Sequence, residues 1–167
     1  MAPIMRIGEL KQSGYALLAM LVLIIIIGFT LAEAGALWSD ARRRDREQEL
    51  LKIGDKFRIA IGQYYNNTPG PIKRYPPTLD ALLRDDRNPI PRRYLRAIYI
   101  DPVTGRADWG TLEAPSGGVM GVYSLSGQRP FKRSQFRPIN KELENKKMYG
   151  DWIFAYLPQV HDTSPAN

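Results

Sequence analysis

The sequence predicts an α+β protein with a long N-terminal helix and a small antiparallel sheet. The first half of the helix is expected to span a membrane and the second half to pack on the sheet. Three observations carry this prediction: an uncharged apolar stretch, an amphipathic stretch after it, and short aromatic-rich segments near the C-terminus. With 167 residues, the chain is long enough for one ordinary domain.

The apolar stretch extends from Gln12 to Ala32 without a charged residue. A helix of about 20 apolar residues spans the hydrocarbon core of a bilayer. A cleaved signal peptide would explain the basic start, Arg6 and Lys11, and the small residues around Ala34. The stretch is longer than most signal-peptide cores, however, and it continues into a charged helical segment. We therefore expect a retained membrane helix.

The helix is expected to continue beyond the membrane as an amphipathic segment. Apolar residues recur there at spacings of three and four: Leu50, Ile53, Phe57, Ile61 and Tyr64. The turn-forming residues 66–71 then end the helix. One helix is thus predicted from about residue 15 to about residue 65.

The remaining body is predicted to contain short elements joined by loops. Trp109 and Trp152 are expected in the core, and a turn is expected at Asp101–Gly105. The other predicted elements are a short helix over Leu79–Arg84 capped by Thr78, strands over Leu95–Ile100, Gly118–Leu125 and Trp152–Leu157, and a frayed tail from His161.

Composition argues against most enzyme classes. The chain has no cysteine, which excludes disulfides, thiolate metal sites and a cysteine nucleophile. It has one histidine, His161, on which any histidine-dependent triad would have to rest. Phosphate-loop, dinucleotide-binding and serine-hydrolase motifs are absent from the sequence. We predict no catalytic residue, no metal site and no cofactor.

The start of the apolar stretch carries a more specific pattern. A short basic leader ends in Gly14, and the aromatic residue Tyr15 opens the apolar helix. This arrangement resembles the leader of type IV pilins and type II secretion pseudopilins. The resemblance implies cleavage between Gly14 and Tyr15 by a prepilin peptidase and N-methylation of Tyr15. A scissile bond must be approached closely, which suits a residue without a Cβ.

The body also resembles that of major pseudopilins, in the order of its pieces. These are the segments Tyr75–Leu82, Asp101–Gly110, Gly121–Ser126 and Asp151–Phe154. The resemblance implies a leader (1–14), a transmembrane and assembly half of the helix (15–37) and a periplasmic pilin-like domain (38–167). Lateral packing in a filament would involve Leu17, Leu18, Ala19, Leu21, Ile24 and Ile27.

The family resemblance also implies location and partners. The protein would be a single-pass protein of the bacterial inner membrane, incorporated after processing into a periplasmic filament. Its partners would be like subunits, other pseudopilins, membrane lipid, the prepilin peptidase, an inner-membrane assembly platform and a motor ATPase. The implied function is that of a non-enzymatic structural subunit of a type II secretion-like pseudopilus. The alternative is a minor type IV pilin with a role in adhesion or DNA uptake, and a membrane-tethered enzyme has the least support.

Three features depart from the family pattern. Ala19 stands at the fifth mature position, where most members carry glutamate, so ordinary polymerisation is in question. Four arginines, at 42–44 and 46, follow the apolar stretch and outnumber the two basic residues before it. The positive-inside rule would then place the body in the cytoplasm, against the resemblance. The calcium site of many major pseudopilins is not carried over, because the C-terminal region offers too few carboxylates.

Two groups of basic residues are interleaved with aromatic residues. The first group contains Arg84, Arg87, Arg92, Arg93 and Arg96, with Tyr94 between them. In the second group, Lys132, Arg133 and Arg137 lie near Phe131 and Phe136. Such patterns suit single-stranded DNA, through phosphate contacts and base stacking. A solvated basic face is the favoured interpretation, with anion or DNA binding at Arg92, Arg93 and Arg96 as the alternative. Similarly, Asp101 and Asp108 are assigned to turn capping rather than to a weak ion site.

Overall fold

The computed structural model describes the backbone of residues 10–158 and the side chains of residues 14–31 and 38–158. Most of the predicted leader (residues 1–9) and the predicted C-terminal tail, including His161, lie outside these ranges. The chain divides into two compact units, Met1–Arg43 and Arg44–Asn167. The predicted boundary between anchor and globular domain was placed six residues earlier, after residue 37.

One long helix, α1, extends over Leu10–Asn66, a length of 57 residues. It begins five residues before the predicted start, because residues 10–13 contain neither glycine nor proline. Its end agrees with the prediction to within one residue. Thr68 closes the last turn, since its hydroxyl donates to the carbonyl oxygen of Tyr64 at 3.2 Å, and Gly70 then takes a positive φ of 81°.

The globular unit contains one antiparallel sheet of three short strands in the order β1-β2-β3. The strands are Gly110–Glu113 (β1), Val119–Tyr123 (β2) and Phe154–Ala155 (β3). Gly110 pairs with Tyr123, and Gly121 pairs with Ala155. Three short 3₁₀ helices accompany the sheet, at Leu79–Leu82, Pro138–Leu143 and Tyr149–Asp151. The predicted α+β class and the small antiparallel sheet are confirmed.

The core forms between the amphipathic half of α1 and the sheet. All five residues of the predicted apolar stripe are buried: Leu50, Ile53, Phe57, Ile61 and Tyr64. The two tryptophans predicted for the core are buried as well. Phe57 packs on Trp109 with 5.1 Å between ring centroids, and Trp152 meets Phe136 edge to face at 5.3 Å.

Several local predictions are wrong. The segment 95–100 is not a strand, because the amide N–H groups of Tyr94 and Leu95 both donate to the carbonyl oxygen of Leu82 and hold this chain against the first 3₁₀ helix. That helix ends at Leu82, and the Thr78 side chain makes no capping hydrogen bond to it. The last predicted strand is reduced to the two residues of β3. Strand β1 was not predicted.

Gly54 places α1 directly against β3. A Cβ built on Gly54 would overlap the ring of Phe154, a fully buried residue. Helix propensity alone would make alanine at position 54 stabilising by about 1 kcal/mol. We expect the opposite sign for Gly54→Ala, a destabilisation of about 1–3 kcal/mol, because an overpacked core must shift backbone or rotamers.

Urea unfolding of the full chain in mild detergent, followed by tryptophan fluorescence, measures this change. Gly127→Ala is the matched control, since a Cβ there meets no atom within 4 Å. A Gly54→Ala chain more stable than wild type would show that α1 and β3 are not in close contact.

Candidate functional site

The N-terminal unit presents an apolar helix surface. Within the described residues, Gly14–Leu31 is the one helical stretch long and apolar enough to span a membrane, and none of it is buried within the chain. Its leucine and isoleucine side chains remain about half to two-thirds exposed. Apolar area of this extent is stabilised by lipid or by other apolar helices rather than by water.

The predicted cleavage and methylation site lies within this helix. Gly14 and Tyr15 both have helical backbone conformation. Space around Gly14 is open, since a Cβ there would meet no atom within 4 Å. The Tyr15 side chain is 81% exposed. A side chain at position 14 would therefore meet no described atom, and the Gly14–Tyr15 peptide bond is wound into a turn of helix.

The predicted assembly residues form the outer surface of the same stretch. All six are exposed: Leu17, Leu18, Ala19, Leu21, Ile24 and Ile27. Ala19 presents a methyl group on this surface. The described residues of the stretch contain no acidic side chain.

The first basic group is divided by the fold. Arg84 pairs with Asp86 on the surface, and Arg87 pairs with the buried carboxylate of Asp85. Arg92, Arg93 and Arg96 remain exposed in one segment. Arg93 donates from its Nε to the carbonyl oxygen of Leu83 at 3.2 Å. The sequence pattern thus mixed two kinds of arginine, two that pair with neighbouring carboxylates and three that face solvent.

The Asp85–Arg87 pair closes the end of α1. Arg87 donates to both Asp85 oxygens at 2.7 Å, to the Thr68 hydroxyl at 2.8 Å and to the Tyr64 carbonyl oxygen at 3.0 Å. Its guanidinium lies 3.5 Å from the centroid of the Tyr64 ring. Tyr94 donates its hydroxyl to Asp85 at 3.0 Å. The hydrogen bonds from Arg87 hold the pKa of Asp85 below its usual value, and those to Asp85 raise the pKa of Arg87.

The second basic group is also divided. Arg137 pairs with Asp55 of α1 and is thereby separated from the other two cations. Lys132 and Arg133 instead line a groove of about 400 Å³ with Phe131 and with Arg44, a residue of the first turn of the globular unit. Arg44 was missed as a member of this group because it lies far from Lys132 in sequence.

The acidic and serine residues considered for ion binding or catalysis have structural contacts. Asp101 is fully buried, and its carboxylate accepts the Val103 N–H at 2.8 Å and the Ser124 hydroxyl at 2.5 Å. Asp108 pairs with Arg106 at the surface. The hydrogen bond from the Val103 N–H to Asp101 agrees with the turn-capping interpretation, whereas Asp108 forms a side-chain ion pair. The described residues contain no cluster of three or more histidine or acidic side chains suited to a metal ion.

Comparison with known proteins adds no assignment. No protein-family model, no curated protein and no solved structure matches the chain. The arrangement offers an apolar helix surface, two solvent-facing basic surfaces and a packed body, and each of these suits binding or assembly.

Proposed function

We propose that this protein is a membrane-anchored structural subunit of a type II secretion-like pseudopilus, without enzymatic activity. A prepilin peptidase cleaves it after Gly14 and methylates Tyr15, and the mature chain assembles from the bacterial inner membrane. Its globular unit lies in the periplasm. Like subunits, other pseudopilins and an inner-membrane assembly platform are its partners.

One observation carries most of the support. The apolar, unburied stretch Gly14–Leu31 and the amphipathic segment that packs into the globular core belong to one uninterrupted helix. A signal peptide would be removed, and an ordinary anchor needs no helical continuity with the core. A helix used both for anchoring and for building the core suits a subunit that is held to its neighbours by that helix.

Cleavage requires the helix to unwind locally at Gly14. Glycine is less favourable than alanine in a helix by about 1 kcal/mol, so Gly14 is a weak point of the first turns. The peptidase therefore has to unwind α1 around Gly14 to extend the scissile bond.

The intact mass of the protein recovered from native membranes tests the proposal. Processing predicts a mature chain that begins at Tyr15 and carries one added methyl group. A chain that still begins at Met1 would contradict the pilin pathway and leave an ordinary membrane anchor.

A second candidate function, that of a minor type IV pilin that contacts DNA, is favoured by the exposed segment with Arg92, Arg93 and Arg96. Replacing all three by alanine is expected to weaken single-stranded DNA binding about tenfold at low salt and to flatten its salt dependence. Electrophoretic mobility shifts with the full chain in detergent measure this. Arg106→Ala is the control, because that exposed arginine already pairs with Asp108. Binding that is independent of salt or unaffected by the triple change would remove this candidate.

A further inference from the structure

A basic groove lies where the loop 129–137 packs on the first turns of the globular unit. The groove is lined by Arg44 and Glu47 of α1 and by Phe131, Lys132 and Arg133 of the loop. Its volume is about 400 Å³. The guanidinium of Arg44 lies 4.4 Å from the centroid of the Phe131 ring. The groove is thus built from two segments that are more than 80 residues apart in sequence.

The loop is fixed by its backbone. The Lys132 N–H donates to the Glu47 carboxylate at 2.9 Å, and the Arg133 carbonyl oxygen accepts the Asn145 N–H at 3.0 Å. Gln135 takes a positive φ of 61°, uncommon for a residue with a Cβ. These hydrogen bonds use backbone atoms of Lys132 and Arg133 and not the charged ends of their side chains. The two cations are therefore presented by a loop whose backbone is held in place.

The charge of the groove is strongly unbalanced. Of its lining residues, Arg44, Lys132 and Arg133 are cationic, and Glu47 is the single acidic one. Glu47 is buried, at 3% exposure, and its carboxylate accepts the loop N–H group. Within the described residues, none of the three cations forms a salt bridge. The groove therefore presents three cations against one buried carboxylate, which accepts a backbone N–H of the loop.

We infer that this groove binds the phosphate headgroups of anionic phospholipids at the membrane surface from which the globular unit emerges. Arg44 belongs to the first turn of that unit after the apolar stretch in the sequence, and Arg42, Arg43 and Arg46 flank it. Basic side chains close to a membrane segment are attracted by anionic lipid. An aromatic ring among them suits the interfacial region, where rings pack between headgroups.

Nucleic acid fits the same groove less well. Binding of single strands depends on aromatic faces that stack with bases. One face of Phe131 is covered by Arg44, and Phe136, over which Lys132 lies at 5.1 Å, is buried. A headgroup needs the cations alone, and Arg44 and Arg133 are exposed while Lys132 is half-buried.

This inference rests on the membrane insertion of α1 that is part of the proposed function, but not on processing or filament assembly. Its test is native mass spectrometry of the full chain in mild detergent, titrated with phosphatidylglycerol or with phosphatidylcholine of the same acyl chains. We expect tighter binding of phosphatidylglycerol. Each basic side chain near an anionic lipid surface is worth about fivefold in affinity, so Lys132→Gln/Arg133→Gln should weaken phosphatidylglycerol binding about 30-fold.

Matched variants separate the groove from overall charge. Arg92→Gln/Arg93→Gln removes two cations from the other basic surface and should leave the phosphatidylglycerol affinity unchanged. Arg44→Gln removes a groove cation but leaves the backbone hydrogen bonds of the loop, Lys132 to Glu47 and Asn145 to Arg133, in place. It should weaken binding about fivefold even if the loop variant fails to fold. Thermal melting of each variant identifies such a failure.

Three results would overturn the inference: equal affinity for the two lipids, equal loss in the Arg92/Arg93 control, or a twelve-nucleotide single strand that displaces phosphatidylglycerol from the groove. The intact mass of the same sample reports processing at Gly14 separately. An unprocessed chain that still selects phosphatidylglycerol through Lys132 and Arg133 would contradict the pseudopilin proposal and support the lipid groove.

Discussion

We expect the Gly14→Val chain to keep its first fourteen residues under conditions in which the wild-type chain loses them. Valine is branched at Cβ and stiff at χ1, so it obstructs the close approach that the scissile bond needs. Displacement of a reacting group by about 1 Å can lower a rate about 100-fold, and a loss of at least this size is expected here. Intact mass after co-expression with a prepilin peptidase measures the processed fraction.

Gly28→Val is the matched control for this change. It places the same side chain in the same apolar helix, where a Cβ also meets no atom within 4 Å. Processing of the Gly28→Val chain should equal that of wild type. Full processing of Gly14→Val would exclude cleavage at the Gly14–Tyr15 bond.

The second large effect is expected for Asp85→Ala in the globular unit. The Asp85 side chain is 1% exposed, and it accepts hydrogen bonds from Arg87 and from the Tyr94 hydroxyl. Its removal leaves the Arg87 guanidinium, which is 25% exposed, without its counter-ion against the end of α1. Removal of one partner from a buried pair is strongly destabilising, and we expect a loss of about 3 kcal/mol in the free energy of unfolding.

The neighbouring pair provides a control with the same chemistry and spacing. Asp86 pairs with Arg84 two residues away, but its side chain is 60% exposed. Asp86→Ala should cost about 0.5 kcal/mol or less, since exposed ion pairs contribute little. Urea unfolding of the full chain measures both changes. Equal effects for Asp85→Ala and Asp86→Ala would show that the Asp85–Arg87 network does not secure the helix end.

The same network makes stability depend on pH. Hydrogen bonds from Arg87 lower the pKa of Asp85 in the folded state below its value in the unfolded chain. The contribution of Asp85 to stability is therefore complete above the unfolded-state pKa, about 3.9, and is lost as the pH falls below it through the folded-state pKa. The urea midpoints of wild type and Asp85→Asn should differ most near neutral pH. They should approach each other as the pH falls below about 4. A difference in urea midpoint that does not change with pH would show that the ionisation of Asp85 does not cause it.

The long helix could be predicted because its signals are local. The uncharged stretch and the three- and four-residue spacing of Leu50 to Tyr64 each occupy a continuous part of the chain, and the end at Asn66 is fixed by nearby turn residues. The predicted start at residue 15 followed the resemblance to pilins rather than helix propensity. Residues 10–13 contain neither glycine nor proline, and they extend the helix towards the N-terminus.

The sheet was harder to predict because its partners are distant. Segment 95–100 has an apolar composition suited to a strand. The N–H of Leu95, however, donates to the carbonyl oxygen of Leu82 in the first 3₁₀ helix instead of to a neighbouring strand. Strand β1 contains a single large apolar residue, Leu112, and becomes a strand through its pairing with β2. The composition of a segment indicates its tendency to form a strand. Whether the strand forms also depends on which backbone segment lies beside it.

The binding surfaces were predicted as groups of residues but not as sites. The sequence pattern grouped Arg84 and Arg87 with Arg92. In the structure, Arg84 pairs with a surface carboxylate and Arg87 pairs with a buried one. Sequence also placed Arg137 with Lys132, although Asp55 pairs with Arg137. The partner that completes the groove, Arg44, comes from α1. Packing of a distant loop on a helix decides such groupings, and a linear pattern contains no record of it.

The amphipathic half of α1 is joined to the body at three levels along its length. Glu47 accepts the N–H of Lys132 near the start, Arg58 donates to the carbonyl oxygen of Ala155 at 3.1 Å midway, and Arg87 holds the last turn at Tyr64. A force applied along the helix axis loads these attachments in shear and all together, rather than peeling them one after another. The rate at which the helix can be pulled out of the body is then the rate at which the three attachments break together. The body would therefore follow its helix under mechanical load.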